Sequence, residues 1–163
     1  MIECRNLAKN YGTLTAVSDI SLHLGEQEFI SILGPSGCGK STLLRILAGL
    51  ERGNNTDKID ITVDEHIWQN HAQFLLPENR AIGVVFQDQH LFPHLSVRDN
   101  LLFALKRQHS PSSISLENII SWFELDPLLN QKVSQLSGGE SQRAAIARVI
   151  INAPKIILMD EPL

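Results

Sequence analysis

The apolar positions of the chain fall into short continuous runs and helical stripes, with polar loops between them. The pattern at 2–24 predicts two short strands around a turn at 10–12, and so an antiparallel β part at the N-terminus. Continuous apolar runs of about five residues are typical of strands buried on both faces of a parallel sheet. Such runs occupy 29–33, 81–86 and 155–159. A weaker alternation predicts a further strand at 58–63, whereas 65–80 is polar and has no strong period.

Apolar residues at helical spacing predict helices between these strands. The first helix covers 41–50. Ser96 and Ser115 stand at N-cap positions and predict the next two helices. The last helix opens at 136–140 and runs through Ile151. This alternation of strands and helices is typical of an α/β fold with a parallel sheet.

Length and composition fit one soluble domain of 163 residues, with 43% hydrophobic and 20% charged residues. We treat 1–163 as a single domain with a helical subdomain at about 96–136. No apolar run approaches the roughly 20 residues that a membrane helix needs. The net charge of −4 gives no general attraction to nucleic acid. Cys4 and Cys38 do not make a disulfide framework, which favours a reducing cytoplasm.

A glycine-rich segment after the first apolar run carries the strongest chemical signal. Gly34, Gly39, Lys40 and Ser41 stand at the fixed positions of G-x-x-x-x-G-K-[ST]. The glycines let backbone N–H groups converge on an anion, the lysine reaches the outer phosphates, and the serine hydroxyl can ligate Mg²⁺. A chance glycine turn is the alternative, but strand, loop and helix stand in the order that a phosphate site requires. The predicted nucleotide-binding residues of this segment are Gly34, Pro35, Ser36, Gly37, Cys38, Gly39, Lys40, Ser41 and Thr42.

Two carboxylates follow the last apolar run, at the carboxyl end of a predicted parallel strand, where ligands of open α/β sheets bind. Asp160 suits Mg²⁺ coordination, and Glu161 is placed to polarise an attacking water. The alternative is the solvated start of a loop, an interpretation that the glycine-rich segment of the same chain disfavours.

A second group of small residues stands at the start of the last predicted helix. Two glycines and a serine at a helix N-terminus expose N–H donors to an anion. The alternative is an ordinary serine N-cap with a glutamate three residues later, although adjacent glycines weaken a helix start. The residues of this second predicted anion-facing site are Leu136, Ser137, Gly138, Gly139 and Glu140.

Together these motifs resemble those of the ATP-binding cassette (ABC) family, the ATPase subunits of ABC transporters. The resemblance runs from Tyr11 to the last residue and rests on the order of the three motifs. It implies a P-loop NTPase core with an N-terminal antiparallel β part. It also implies a head-to-tail dimer, in which the signature at 136–140 closes over the nucleotide of the other subunit. The implied cofactors are ATP and Mg²⁺, with Ser41, Gln87 and Asp160 around the metal.

The resemblance assigns further roles to single residues. Tyr11 matches the aromatic that stacks on adenine, with an exposed turn aromatic as the alternative. Gln87 matches the loop glutamine that contacts Mg²⁺ and couples to the transmembrane partner. Lys40 and Glu161 are the implied catalytic residues. The segment at 91–97 is similar to the version of this loop in bacterial importers.

The implied function is an ATPase subunit that couples ATP binding and hydrolysis to solute import. Its implied partners are a second ATPase subunit and membrane permease subunits, without nucleic acid, at the cytoplasmic face of the cell membrane. The segments 34–50 and 92–94 resemble those of subunits for inorganic ions, such as ferric iron or oxyanions, and less so those of subunits for polyamines or sugars. A soluble ABC-type ATPase of DNA repair or chromosome maintenance is the alternative, but the chain has neither heptads nor a Cys pair.

The family pattern continues past Leu163 with an aspartate-containing loop and a strand that leads to a switch histidine. We therefore expect the chain to be a truncated form, or part of a longer protein, that lacks the C-terminal part of the family domain. Alone it is expected to bind nucleotide and not to hydrolyse it. A non-hydrolysing nucleotide-binding fragment is thus a further alternative.

Overall fold

The computed structural model describes residues 1–54, 58–88, 90–108 and 114–160. Contacts within the chain divide it into two compact units, Met1–Arg80 and Ala81–Leu163. The first unit holds the N-terminal sheet and the glycine-rich segment, and the second holds a parallel strand pair and three helices. The predicted α/β fold is confirmed.

The first unit contains a four-stranded antiparallel sheet. Its strands are β1 (Ile2–Tyr11), β2 (Leu14–Leu24), β3 (Asp60–Val63) and β4 (His66–Gln69), in the spatial order β2-β1-β3-β4. The two N-terminal strands and the strand near 58–63 agree with the prediction, whereas β4 lies in the segment expected to be irregular. In β4 the adjacent Trp68 and Gln69 are both buried, so the alternation that marks a half-buried strand is absent.

One predicted strand of the first unit is absent from both sheets of the described residues. The apolar run at 29–33 is irregular, and the side chains of Phe29 and Leu33 are each 89% exposed. The expectation of a buried parallel strand was therefore wrong for this structure. An apolar run is buried in a parallel sheet only when strands flank it, and the described residues place no strand beside this one.

Helix α1 (Lys40–Leu47) follows the glycine-rich segment, as predicted, and buries Leu43, Ile46 and Leu47. Its C-terminal turn closes at Gly49, whose φ of 77° is the left-handed conformation that glycine adopts without strain.

The buried Arg80 guanidinium fastens the C-terminal end of α1 to the sheet. It donates hydrogen bonds to the carbonyl oxygens of Ile46 (2.9 Å) and Leu47 (2.6 Å), the last residues of the helix. Further bonds reach the carbonyls of Leu75 at 3.0 Å and Trp68 at 3.4 Å. Burial lowers the pKa of Arg80 to about 10, so the group stays charged at neutral pH and favours the negative end of the helix dipole.

The second unit pairs β5 (Ile82–Val85) and β6 (Ile156–Met159) in parallel. The helices α2 (Val97–Leu105), α3 (Leu116–Trp122) and α4 (Gly138–Ile151) form its apolar core. A Cβ at Gly83 would lie 2.3 Å from the Val149 side chain, so β5 approaches α4 closely.

Helix starts in this unit follow the predicted capping chemistry. The Ser96 hydroxyl accepts a hydrogen bond from the Asp99 N–H at 3.0 Å, and the Ser115 hydroxyl accepts one from the Asn118 N–H at 3.2 Å. Both predicted helix boundaries are confirmed. None of the helices in the described part of the chain has the length and apolar character that a membrane span requires.

We expect Arg80→Lys to lower the free energy of unfolding by about 2–3 kcal/mol. A lysine cannot join these carbonyls as the guanidinium fork does, and each lost hydrogen bond from a charged group costs roughly 1.5–3 kcal/mol. Chemical denaturation followed by circular dichroism measures the change. Arg5→Lys is the matched control, because Arg5 is exposed and forms an ion pair with Glu3 on the surface. Equal effects of the two substitutions would contradict the anchoring role of Arg80.

Candidate functional site

The predicted phosphate loop runs from the end of the 29–33 segment into α1. Gly37 and Gly39 adopt positive φ values of 80° and 97°, which residues with a side chain rarely adopt. A Cβ at Gly39 would lie only 2.1 Å from the carbonyl oxygen of Ala16 in β2. Glycine at position 39 is therefore required both by the backbone and by the packing of the loop on the sheet.

The N-terminus of α1 is open for an anion. Gly39 is the N-cap, and in the described residues no side chain caps the helix. Residues 34–38 are exposed, as is Ser41. Backbone N–H groups at a helix N-terminus carry positive partial charge, so this end of α1 is suited to the predicted phosphate site.

Lys40 lies across the loop. Its Nζ donates hydrogen bonds to the carbonyl oxygens of Gly34 and Pro35, each at 2.9 Å, and lies 4.0 Å from the Cys38 Sγ. The ammonium group thus closes the loop on itself and stays next to the exposed backbone. This arrangement places a positive charge where a bound phosphate chain would need one.

Tyr11, the predicted adenine-stacking residue, ends β1 close to α1. Its side chain is 45% exposed. The hydroxyl donates a hydrogen bond to the Glu51 carboxylate and also interacts with the Thr42 side chain. The structure thus brings Tyr11 next to the last residue of the phosphate loop, as a base-binding role requires. Glu51 was not among the sequence-predicted site residues, because a glutamate in a polar loop carries no local signal.

The second predicted anion site, at the start of α4, is also an ordinary capping box. The Ser137 N–H and hydroxyl donate to the Glu140 carboxylate at 2.8 and 2.7 Å, and the Glu140 N–H donates back to the Ser137 hydroxyl at 3.4 Å. These bonds to Ser137 lower the pKa of Glu140. The capping alternative is thereby confirmed as local structure.

Gly138 and Gly139 are not explained by that capping. Neither has a positive φ, and a Cβ added to either would meet nothing within 4 Å. Both residues are exposed, and Leu136 before them is half-buried. The fold would accept larger residues here, so the two glycines keep space free above the helix N-terminus.

The parallel pairing of β5 and β6 brings Gln87 and Asp160 to one edge of the second unit. Val85 and Met159 are paired, so the residues after them follow the carboxyl ends of neighbouring strands. The Asp160 N–H continues the ladder with a bond of 3.0 Å to the Val85 carbonyl. Glu161, the predicted catalytic base, lies outside the described residues.

The predicted Mg²⁺ ligands are divided between the two units, with Ser41 in the first and Gln87 and Asp160 in the second. Within the described ranges, no group of three or more His, Cys, Asp and Glu residues could hold a metal ion by itself. The hydroxyl, amide and carboxylate oxygens of the predicted set are nevertheless the donors that Mg²⁺ prefers, with phosphates and waters completing its shell. The Mg²⁺ site stays a prediction.

Comparison with known proteins identifies relatives across nearly the whole chain. A family model described as ABC transporter matches residues 17–163. The xylose/arabinose import ATP-binding protein of Haloferax volcanii is 41% identical over 99% of the chain and 42% of its own length. The molybdenum import ATP-binding protein of Hahella chejuensis is 43% identical over 89% of the chain and 40% of its own length. The chain therefore spans less than half the length of these curated relatives.

Two solved structures are also similar to this chain. A bacterial ABC transporter cassette solved as a dimer is 32% identical, with a TM-score of 0.81 over 99% of this chain and 74% of its own. The same cassette in a post-hydrolysis state, bound to ADP and Pi, gives a TM-score of 0.82 at the same identity and coverage.

The two cysteines offer a chemical test of loop accessibility. Cys4 is buried, and burial raises the pKa of its thiol to about 12, whereas Cys38 is exposed in the loop. We expect maleimide to label Cys38 at least about tenfold faster than Cys4, because the thiolate is the reactive form. MgATP should slow only the Cys38 reaction, as peptide mapping by mass spectrometry would measure. Labelling of Cys38 at the same rate with and without MgATP would argue against nucleotide in the loop.

Proposed function

This chain belongs to the ABC transporter family, and we propose that it is the nucleotide-binding part of an import ATPase subunit. The observation that carries the proposal is the loop at 34–42, fixed by Gly39 against β2 and leading into an uncapped helix N-terminus. That geometry offers the N–H groups of a helix N-terminus and the Lys40 ammonium to a phosphate chain. ATP is the ligand in keeping with the curated relatives, which are ATP-binding proteins.

In this function Ser41, Gln87 and Asp160 would hold Mg²⁺, which would supply positive charge that stabilises the transferred phosphoryl group. Lys40 binds the outer phosphates, and Glu161 orients the attacking water. The carboxyl ends of β5 and β6 support this assignment, since Gln87 and Asp160 follow the ends of these paired strands.

We further propose that the signature, Leu136 to Glu140, acts on the nucleotide of a second subunit in a head-to-tail dimer. The open space above Gly138 and Gly139 supports this role, because it lets a phosphate approach the first N–H groups of α4. The related cassette solved as a dimer agrees with a dimeric working form.

The remaining parts of the proposal concern partners, location and solute. The subunit works with membrane permease subunits at the cytoplasmic face of the membrane, as import ATP-binding relatives suggest.

Relatives named for pentose sugars, molybdenum and polyamines are 41–43% identical to this chain, so sequence identity does not favour one solute class. The preference for inorganic ions therefore stays a prediction, which transport assays with the permease would test.

Lys40→Ala should weaken MgATP binding by about 100-fold. This is the usual effect of removing one donor that contacts the charge of a phosphate group. Isothermal titration calorimetry measures the affinity, and thermal unfolding checks the fold. Lys58→Ala is the control, because Lys58 is an exposed lysine of the same unit. Unchanged affinity in Lys40→Ala would refute the phosphate-site assignment.

Gly139→Ala should leave the free energy of unfolding unchanged or raise it by up to about 1 kcal/mol, because alanine is the better helix former and has space here. The added methyl group should nevertheless hinder closure on the second nucleotide, so ATP-dependent dimerisation should fall. Analytical ultracentrifugation with and without ATP measures the effect. The exposed Ser121→Ala in α3 should change neither quantity. If Gly139→Ala dimerises as well as the unmodified chain, the signature does not act across a subunit interface.

A further inference from the structure

A charged cluster surrounds Tyr11 at the end of β1, apart from the phosphate loop itself. We call Lys9, Tyr11, Arg45 and Glu51 the tyrosine cluster. The Glu51 carboxylate is its centre: it accepts the Tyr11 hydroxyl hydrogen bond and lies 3.6 Å from the Lys9 Nζ and 3.4 Å from the Arg45 Nη1. All four residues belong to the first unit, and no role in the proposed function has been given to three of them.

Glu51 is held in place by the backbone turn that ends α1. The N–H groups of Leu50 and Glu51 both donate to the Arg45 carbonyl oxygen, at 2.9 and 3.3 Å. Gly49 permits this turn with its positive φ, and Arg80 packs against it. The side chain of Glu51 is only 20% exposed. The carboxylate is therefore a fixed acceptor attached to the same helix that begins at the phosphate loop.

The charges of the cluster favour an ionised Glu51 facing a neutral phenol. Burial raises the pKa of Glu51, but the hydrogen bond from Tyr11 and the charges of Lys9 and Arg45 outweigh it and leave that pKa below its usual value. The same hydrogen bond raises the pKa of Tyr11, against a smaller opposing contribution from Thr42. At neutral pH the pair is thus a phenol donating to a carboxylate, one of the stronger kinds of hydrogen bond.

Lys9 of the tyrosine cluster lies over one face of the Tyr11 ring. The Lys9 Nζ lies 5.1 Å from the ring centroid, and Lys9 also donates to the Arg52 carbonyl at 2.9 Å. Because the ring is still 45% exposed, it retains surface for a flat ligand. A ring held by its hydroxyl and covered by a cation on one side loses little freedom when a base stacks on it.

We propose that Glu51 is a positioning residue that holds Tyr11 in its base-stacking orientation. It links the aromatic ring to the C-terminal turn of α1, so the base site and the phosphate site keep a constant separation. Glu51 does not touch the nucleotide in this role. The inference rests on the proposed function, because it concerns how Tyr11 serves nucleotide binding.

The test compares Glu51→Ala, Glu51→Gln, Tyr11→Phe and the double variant Tyr11→Phe with Glu51→Ala. Each is titrated with ATP and with inorganic tripolyphosphate, which lacks the base. Removing a negative charge acts on both ligands, so the ratio of the two affinities isolates the contribution of the base. Glu3→Ala is the matched control, because Glu3 forms an exposed ion pair on the same strand.

We expect the ratio of ATP to tripolyphosphate affinity to fall by about 3- to 10-fold in Glu51→Ala and in Tyr11→Phe, the range for ordering one side chain. The double variant should show no further loss, because both substitutions break the same hydrogen bond. Glu51→Gln, which keeps an acceptor oxygen, should recover part of the ratio. Glu3→Ala should leave it unchanged.

The ultraviolet titration of the phenol gives a reading independent of nucleotide. Tyr11 is the single tyrosine of the chain, so phenolate absorbance reports on it alone. Its pKa should move down towards the ordinary value in Glu51→Ala and stay in place in Glu3→Ala. A pKa unchanged in Glu51→Ala would overturn the proposal.

The binding outcomes separate this inference from the proposed function. If the unmodified chain binds ATP, and the losses in Glu51→Ala and Tyr11→Phe are absent or add in the double variant, the positioning role is wrong and nucleotide binding stands. If the unmodified chain binds neither ATP nor tripolyphosphate, the proposed function fails and the inference fails with it.

Discussion

The contact between Gly39 and β2 is the constraint on which the rest of the first unit depends. A Cβ on residue 39 would lie 2.1 Å from the Ala16 carbonyl oxygen, far inside any allowed separation, and the φ of 97° is a conformation that residues with a side chain rarely adopt. This one close approach sets where the glycine loop ends and where α1 begins. The direction of the helix N-terminus, and the reach of Lys40 across the loop, follow from it.

Helix α1 has only eight residues, a length at which an isolated helix is unstable in water. Tertiary contacts at both ends compensate for this. Gly39 fixes the first turn on the sheet, and the Arg80 guanidinium binds the last two carbonyl oxygens from a buried position. The tyrosine cluster then adds a polar attachment through Arg45 and Glu51. Both ends of the helix are therefore anchored, including the proposed phosphate-binding end.

The sequence predicted features whose cause is local, and it missed those whose cause lies far along the chain. The caps at Ser96, Ser115 and Ser137 are local, since each serine bonds a group three residues later, and all three were predicted. Arg80 acts on carbonyls more than thirty residues away, and Glu51 acts on Tyr11 from forty residues away. No spacing rule reveals such pairs. The exposed run at 29–33 shows the same limit, because composition predicts strand preference but not the presence of neighbouring strands.

The glycines at the N-termini of α1 and α4 are present for different physical reasons. At Gly39 the fold itself excludes every other residue. At Gly138 and Gly139 the backbone is ordinary, the surrounding space is open, and helix propensity alone would favour almost any other side chain. Stability therefore gives a reason for the first glycine and none for the other two. The proposed ligand, approaching the N–H groups of α4 closely, would supply that reason, so the two glycines favour a binding role for the signature over a role in folding.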